Sequence, residues 1–135
     1  SYVLLYIRAN YPKCPVKLIP GVTAISAAAA AGAWPLSLQK EQLHILPTPD
    51  DPKTLEALLI DTSCSGRVLA LLKLGKRWSW VRPLLENKGL LDQSLFAQRV
   101  GFADQQVMMA EKVPGSIRPY FSLLLIRQGW PEVLP

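Results

Sequence analysis

The sequence predicts an α/β domain in which helices flank the faces of a mixed β-sheet. Apolar runs of strand length alternate with helical segments early in the chain, and strands follow one another late in it. That order is typical of a sheet with helices packed on its faces. A nearly unbroken apolar run at residues 67–74 predicts a strand that is buried on both sides.

The amino-terminal part predicts a helix, a short strand and a second helix. Residues 2–10 are mostly apolar and contain no helix breaker, so we expect a helix there. Residues 16–19 form a strand-like run that stops at Pro20-Gly21, a strong turn signal. Thr23 then offers a side-chain oxygen to cap a helix over the alanine-rich residues 24–33.

The rest of the chain predicts five strands and two further helices. The strands are expected at residues 42–46, 67–74, 94–100, 106–110 and 120–127, and the helices at residues 51–60 and 77–87. Asp50 or Asp51 is the expected N-cap of the first of these helices, and Gly89 is the expected stop of the second. A polar loop is expected over residues 61–66.

Composition indicates one packed domain with a basic balance. Half of the 135 residues are apolar and 19% are charged, which argues against disorder. The net charge of +5 favours a polyanionic partner without choosing among nucleic acid, anionic lipid and a small molecule with many carboxylates.

The longest strongly apolar stretch, residues 23–34, is too short for a membrane span of about 20 residues. Cys14 and Cys64 have no metal or redox spacing, so we expect a cytoplasmic protein with reduced thiols.

Side-chain chemistry is sparse. The chain has no glycine-rich phosphate loop and no zinc-binding cysteine pair, and its single histidine, His44, lies in a predicted strand. Neither metal binding nor hydrolysis is therefore indicated. A backbone site remains, because the Pro20-Gly21 turn precedes a helix start with unpaired N–H groups. From these residues alone, a turn with Thr23 as the helix N-cap is the favoured interpretation, and a ligand-binding role for Thr23 is the alternative.

Several blocks of the chain resemble the S-adenosylmethionine (SAM)-dependent tetrapyrrole methylases. The first block, VKLIPGVTAISAAAA at residues 16–30, resembles the family segment v-i-P-G-v-T-s-x-x-a-A-a-A. The others are Trp34-Pro35-Leu36 against g-x-P-L, residues 68–75 against v-l-m-k-x-G, residues 99–101 and 104–107 against the next strand pair, and PYFSLLL at residues 119–125. This last block is similar to the ending of the precorrin-2 C20-methyltransferase branch.

The resemblance implies two α/β domains that enclose a cleft for SAM, in an enzyme that is commonly a homodimer. The family's amino-terminal G-D-P turn does not occur here. We therefore expect residues 1–14 to be a helix and linker from an otherwise absent amino-terminal domain, and residues 15–135 to be the carboxyl-terminal methylase domain. On a fragment of this kind, Tyr2, Leu5 and Tyr6 should be exposed and should promote self-association.

The resemblance also implies four SAM-binding positions. It places Thr23 at SAM through its hydroxyl, Ala24 through its backbone, Leu74 where relatives often have a methionine, and Gly101 near the adenine edge. It assigns no catalytic residue, no substrate-binding residue and no metal.

The implied activity is SAM-dependent methylation of precorrin-2 at C20 to give precorrin-3A, with a tetrapyrrole as substrate and no nucleic-acid or membrane partner. Two alternatives stay open. The first is a family member that acts on a different corrinoid or on a sirohaem precursor. The second is an inactive fragment that serves only as a half-site and dimerisation domain.

Overall fold

A computed structural model describes residues 2–63, 66–116 and 118–129 of the chain. Its strands are β1 (Gln42–Pro47), β2 (Arg67–Leu72), β3 (Ser94–Gln98), β4 (Gln106–Met109) and β5 (Ser122–Arg127). Its α-helices are α1 (Tyr2–Asn10), α2 (Ala24–Ala31), α3 (Pro52–Ser63) and α4 (Trp78–Asn87), with short 3-10 turns at Gly75–Arg77 and Ala110–Lys112. Among the described helices, none is both long and apolar enough to cross a bilayer.

The five strands form one mixed sheet in the order β1-β2-β5-β3-β4. Strand β1 runs parallel to β2, whereas β5 runs antiparallel to both β2 and β3, and β4 antiparallel to β3. Strands β1, β2 and β3 therefore point the same way. Their carboxyl ends share one edge of the sheet with the amino ends of β4 and β5. The predicted α/β class with a mixed sheet is confirmed.

Helices cover both faces of the sheet, because the central strands alternate apolar side chains on each side. On one face, α3 and α4 pack on Leu69, Leu71, Phe96, Leu124 and Ile126. On the other face, α2 packs on Ala70, Leu95, Ala97, Leu123 and Leu125. All residues of β3 and β5 are buried, as expected for strands inside a three-layer arrangement.

Local capping signals explain where helix α3 begins and where helix α4 ends. The Asp51 carboxylate accepts hydrogen bonds from the Thr54 amide at 2.9 Å and the Thr54 hydroxyl at 2.7 Å, which identifies Asp51 as the N-cap of α3. These bonds hold the pKa of Asp51 below its usual value of 3.8. After α4, Gly89 takes a φ of +65°, as predicted for a helix stop.

Several predicted boundaries differ from the structure. Helix α3 continues to Ser63, since polar residues do not break a helix whose apolar side, at Leu55 and Leu59, is already packed. The predicted loop at residues 61–66 is thus wrong for its first three positions, and Cys64 and Ser65 lie outside the described residues. Strands β2 and β3 end early because the next residues, Lys73 and Arg99, take positive φ values of 56° and 51°. The last strand begins at Ser122 rather than at residue 120, and α2 ends at Ala31 rather than at residue 33.

The predicted strand at residues 16–19 is wrong. Prolines on both sides remove backbone donors and leave only four residues for pairing. In the structure this segment is not part of the sheet, and the Leu18 and Ile19 side chains are 68% and 80% exposed. An apolar run of this length predicts burial only where a neighbouring strand is available to pair with it.

Helix α1 contributes no buried residue. Tyr2, Leu5 and Tyr6 are 93%, 63% and 61% exposed, so the expected exposure of this helix is confirmed. The packed body of the chain begins only at Ile25, the first residue that joins a core cluster.

Candidate functional site

A cleft of about 310 Å³ opens at the edge of the sheet where β2 and β3 end and β5 begins. The start of α2 forms one wall, and the two turns that follow β2 and β3 form the others. The lining residues are Ala24, Leu72, Lys73, Ala97, Arg99, Val100, Phe102, Tyr120, Phe121, Ser122 and Leu123. The cleft thus lies beyond the carboxyl ends of parallel strands, where open α/β sheets bind ligands.

The wall from α2 is fixed by its N-cap. Thr23 has extended backbone angles, and its hydroxyl oxygen accepts a hydrogen bond from the Ser26 amide at 3.2 Å. The two hydroxyls are also within hydrogen-bond distance, at 3.0 Å. The predicted helix start at Thr23 is therefore confirmed. Ala24, the first helical residue, presents a small side chain to the cleft.

The turn after β2 is tied to β5 by two hydrogen bonds. The Leu74 amide donates to the Ser122 carbonyl at 3.1 Å, and the Gly75 amide donates to the Ser122 hydroxyl at 3.0 Å. The same hydroxyl donates to the Pro119 carbonyl at 2.7 Å. Leu74 is fully buried in the cluster under α3 and α4, so its side chain faces away from the cleft. Leu72 and Lys73 line the cleft in its place.

The turn after β3 is held by its own polar groups. The Arg99 amide donates to the Phe121 carbonyl at 2.9 Å, and its guanidinium bonds Asp104 at 2.8 Å while lying 4.7 Å from the Phe102 ring centroid. The bond from Arg99 lowers the pKa of Asp104 below 3.8. Gly101 has a φ of +88°, which a side chain would strain, and its amide donates to the Gln105 side chain at 3.0 Å.

The structure brings the four predicted SAM positions to one region without placing all of them in the cleft. Ala24 lines it directly. Thr23 and Gly101 are each next to a lining residue in the sequence, whereas the Leu74 side chain packs in the core. The roles predicted for these four residues remain predictions.

Sequence reasoning assigned no role to the aromatic residues at this edge. Phe102, Tyr120 and Phe121 line the cleft and are 55%, 59% and 65% exposed. The rings of Tyr120 and Phe121 meet edge to face with centroids 5.7 Å apart. Three exposed aromatic side chains beside strand ends are a signal of a binding surface, and it is visible in the sequence once those ends are known.

The cleft's chemistry suits a largely apolar ligand that carries negative charge. Its described lining contains two cations, Lys73 and Arg99, and no carboxylate. Within the described ranges, no group of three His, Cys, Asp or Glu side chains is placed to hold a metal ion. His44 lies in β1, away from the cleft lining.

A family model described as Tetrapyrrole (Corrin/Porphyrin) Methylases matches residues 1–112. The chain belongs to this family. This match confirms, at the family level, the resemblance of the Pro20 to Ala24 block and of the blocks at residues 68–75, 99–101 and 104–107.

The relatives of this tetrapyrrole methylase chain include enzymes of cobalamin biosynthesis. It is 35% identical over 129 residues to the cobalamin biosynthesis protein CobIJ of Mycobacterium tuberculosis, covering 96% of this chain and 24% of that protein. It is 30% identical to a precorrin-2 C(20)-methyltransferase of Sinorhizobium sp, covering 98% of this chain and 51% of the relative. It is 28% identical to the cobalt-precorrin-2 C(20)-methyltransferase of Salmonella typhimurium, covering 96% and 54%.

Solved structures agree on the fold. The methyltransferase CobJ superposes with a TM-score of 0.59 at 19% identity, over 94% of this chain and 58% of that one. The cobalt precorrin-4 methyltransferase CbiF gives 0.56 at 18% identity, over 93% and 56%. The chain spans about half or less of the length of the curated relatives it matches.

Proposed function

We propose that this chain takes part in the SAM-dependent methylation of precorrin-2 at C20, which gives precorrin-3A. The observation that carries the proposal is the cleft at the carboxyl edge of the sheet, where the family's blocks at Ala24, Lys73 and Val100 meet. One relative at 30% identity is named a precorrin-2 C(20)-methyltransferase and one at 28% identity a cobalt-precorrin-2 C(20)-methyltransferase, which supports the choice of a precorrin-2 ring and of C20.

The residues of the cleft are compatible with SAM. The volume of about 310 Å³ is at the lower end of the range for small-molecule pockets, about 300–1,000 Å³. The small side chains of Ala24 and Ala97 leave room for the adenine ring of SAM, and Val100 and Leu123 offer apolar surface to that ring. Gly101, in the turn beside the cleft, adopts a φ of +88° that a residue with a side chain would strain.

Methyl transfer requires little side-chain chemistry from this chain. SAM supplies a methyl group that is already activated on a sulfonium sulfur, so no protein nucleophile is needed. The residues of the cleft instead hold the donor in line with the accepting carbon and exclude water, which are proximity and electrostatic effects. The hydrogen bonds that fix the turns at Gly75 and Gly101 serve this purpose by keeping the walls in one arrangement.

A binding experiment on the protein as its gene encodes it tests the site. Ala24→Leu adds bulk to the cleft wall, whereas Ala30→Leu adds the same bulk to an exposed position on the same helix. Isothermal titration with SAM should show about tenfold or more weaker binding for Ala24→Leu and wild-type binding for Ala30→Leu. Equal binding by both variants and the wild type means that SAM does not occupy this cleft.

The position of methylation needs a separate test. The protein is incubated with precorrin-2 and SAM carrying a ¹³C-labelled methyl group, and the product is analysed by NMR. Label at C20 supports the proposal. Label at another carbon, or turnover only with a sirohaem precursor, assigns the chain to a different member of the family.

We also propose that residues 15–135 form the carboxyl-terminal methylase domain and that residues 1–14 belong with an amino-terminal domain. The lack of any buried side chain in α1 supports this division, as does the chain's coverage of about half of the Sinorhizobium and Salmonella relatives. A polypeptide limited to these 135 residues should then methylate precorrin-2 negligibly, as expected for a half-site. Turnover equal to that of the gene-encoded protein contradicts the division.

A further inference from the structure

Lys73 is the first residue after β2 and has an unusual backbone conformation. Its φ of +56° is rare for a residue with a long side chain, and such conformations persist where the surroundings impose them. Here the Arg77 guanidinium donates to the Lys73 carbonyl at 3.2 Å, and the next two amides are bonded to Ser122. Lys73 is therefore held at the cleft wall by fixed backbone contacts.

The two cations of the cleft are not equivalent. The Arg99 guanidinium is engaged with Asp104 and stacks on Phe102. Its charge therefore serves mainly to shape the turn after β3. Among the described residues, no carboxylate pairs with the Lys73 side chain, which is exposed to solvent at the cleft. No acidic residue occurs in the described lining either.

We propose that Lys73 is a specificity-determining residue that binds a carboxylate of the ligand in this cleft. The inference rests on the proposed function, because both SAM and precorrin-2 carry carboxylates. An ammonium beside a mainly apolar surface attracts a carboxylate more strongly than one in bulk water, since the effective dielectric constant is lower there. The carboxylate belongs either to the methionine part of SAM or to the periphery of the tetrapyrrole.

Three variants of the gene-encoded protein test the role of Lys73. Lys73→Gln removes the charge and keeps most of the length, and Lys73→Arg keeps the charge. Lys76→Gln removes the same charge three residues later, at an exposed position outside the cleft lining. Far-UV circular dichroism and thermal unfolding check that all three variants fold.

Two ligands that share an adenosine group separate the two sources of the carboxylate. S-adenosylhomocysteine has the amino-acid carboxylate, and 5′-methylthioadenosine lacks it. If Lys73 binds the methionine carboxylate, Lys73→Gln should weaken S-adenosylhomocysteine binding about five- to tenfold and leave 5′-methylthioadenosine binding unchanged. If it binds the tetrapyrrole, both affinities stay unchanged and the KM for precorrin-2 rises by a similar factor.

Salt and the conservative variant complete the test. The difference between wild type and Lys73→Gln should shrink as ionic strength rises, because salt screens a partly exposed charge pair. Lys73→Arg should restore most of the affinity, and Lys76→Gln should match the wild type. The inference is overturned if Lys73→Gln changes neither ligand affinity nor KM, or weakens both adenosine ligands equally. Failure of the wild-type protein to bind S-adenosylhomocysteine contradicts the proposed function instead.

Discussion

The Ser122 hydroxyl accepts a hydrogen bond from the Gly75 amide at 3.0 Å and so joins the start of β5 to the turn after β2. The two residues are 47 positions apart in sequence. Ser122 lines the cleft and is 4% exposed, while Gly75 has a φ of +47° and is buried. The shape of the cleft floor therefore depends on a buried side chain that bonds to backbone groups on both sides.

Ser122→Ala should destabilise the fold by about 1–3 kcal/mol, because the buried Gly75 amide loses its acceptor. Chemical unfolding measures this loss. Ser116→Ala, at an exposed position, should change the free energy of unfolding by less than about 0.5 kcal/mol. Similar values for both variants contradict a role of the Ser122 hydroxyl in holding the turn.

Arg127 is the most buried charged residue in the described part of the chain, at 1% exposure. Its guanidinium bonds the Glu41 carboxylate and the Pro35 carbonyl, and so fixes the segment after α2 to the end of β5. Arg127→Met should cost about 3–5 kcal/mol, since Glu41 loses the cation that compensates its charge. Urea unfolding of the variant gives the value.

Two comparisons make that prediction specific. Arg67→Met removes a more exposed pair with Asp61 and should cost about 1 kcal/mol or less. The double variant Arg127→Met/Glu41→Leu should recover much of the stability lost by Arg127→Met, because both charges are then gone. A double variant that is less stable than Arg127→Met shows that the pair is not what the substitution disrupts.

The sheet and most of its elements were predictable, because apolar runs and capping residues act over a few neighbouring positions. The strand at residues 67–74 and the cap at Asp51 are examples. The failure at residues 16–19 has a different origin, because a strand needs a partner that the local sequence does not specify. Strand β2 ends at Leu72, whereas the predicted strand ends at residue 74. This early end likewise depends on Ser122, which lies far along the chain and fixes the turn at Gly75.

The candidate site was predictable only in part. Ala24 lies in a contiguous block that resembles the family, so its place at the cleft follows from local sequence. Leu74 was chosen by analogy with a methionine of relatives, but its side chain packs in the core and its amide already has an acceptor in Ser122. Phe102 becomes a candidate only when the sheet order brings the turns after β2 and β3 to opposite sides of β5.

Asp104 should titrate below pH 3.8 in the folded protein, since the Arg99 guanidinium stabilises its charged form. A folded pKa below the unfolded one means that the carboxylate stabilises the fold above the unfolded pKa. That contribution is lost as the pH falls through the folded value. NMR titration of the carboxyl carbons should show the pKa of Asp104 rising toward 3.8 in Arg99→Met.

Thr54→Val provides a matched control for that titration. It removes the hydroxyl donor to Asp51, so the pKa of Asp51 should rise while the pKa of Asp104 stays at its wild-type value. If Arg99→Met leaves the Asp104 titration unchanged, the guanidinium does not hold the turn as described. The assignment of a shaping role to Arg99 then loses its basis.

Helix α1 should promote self-association of the 135-residue chain. Tyr2, Leu5 and Tyr6 are exposed on a helix with no buried residue, and large exposed apolar patches mark interaction surfaces. Two copies that pack these surfaces together need to bury about 1,200 Å² or more in total to form a specific dimer. Analytical ultracentrifugation should therefore show a concentration-dependent dimer.

Two variants of α1 test which side chains hold this dimer together. Leu5→Lys should shift the chain to monomer. Ala9→Lys adds the same charge at another exposed position of α1 and should have a smaller effect, because alanine contributes little apolar area. A wild-type chain that stays monomeric at all concentrations contradicts this role of α1.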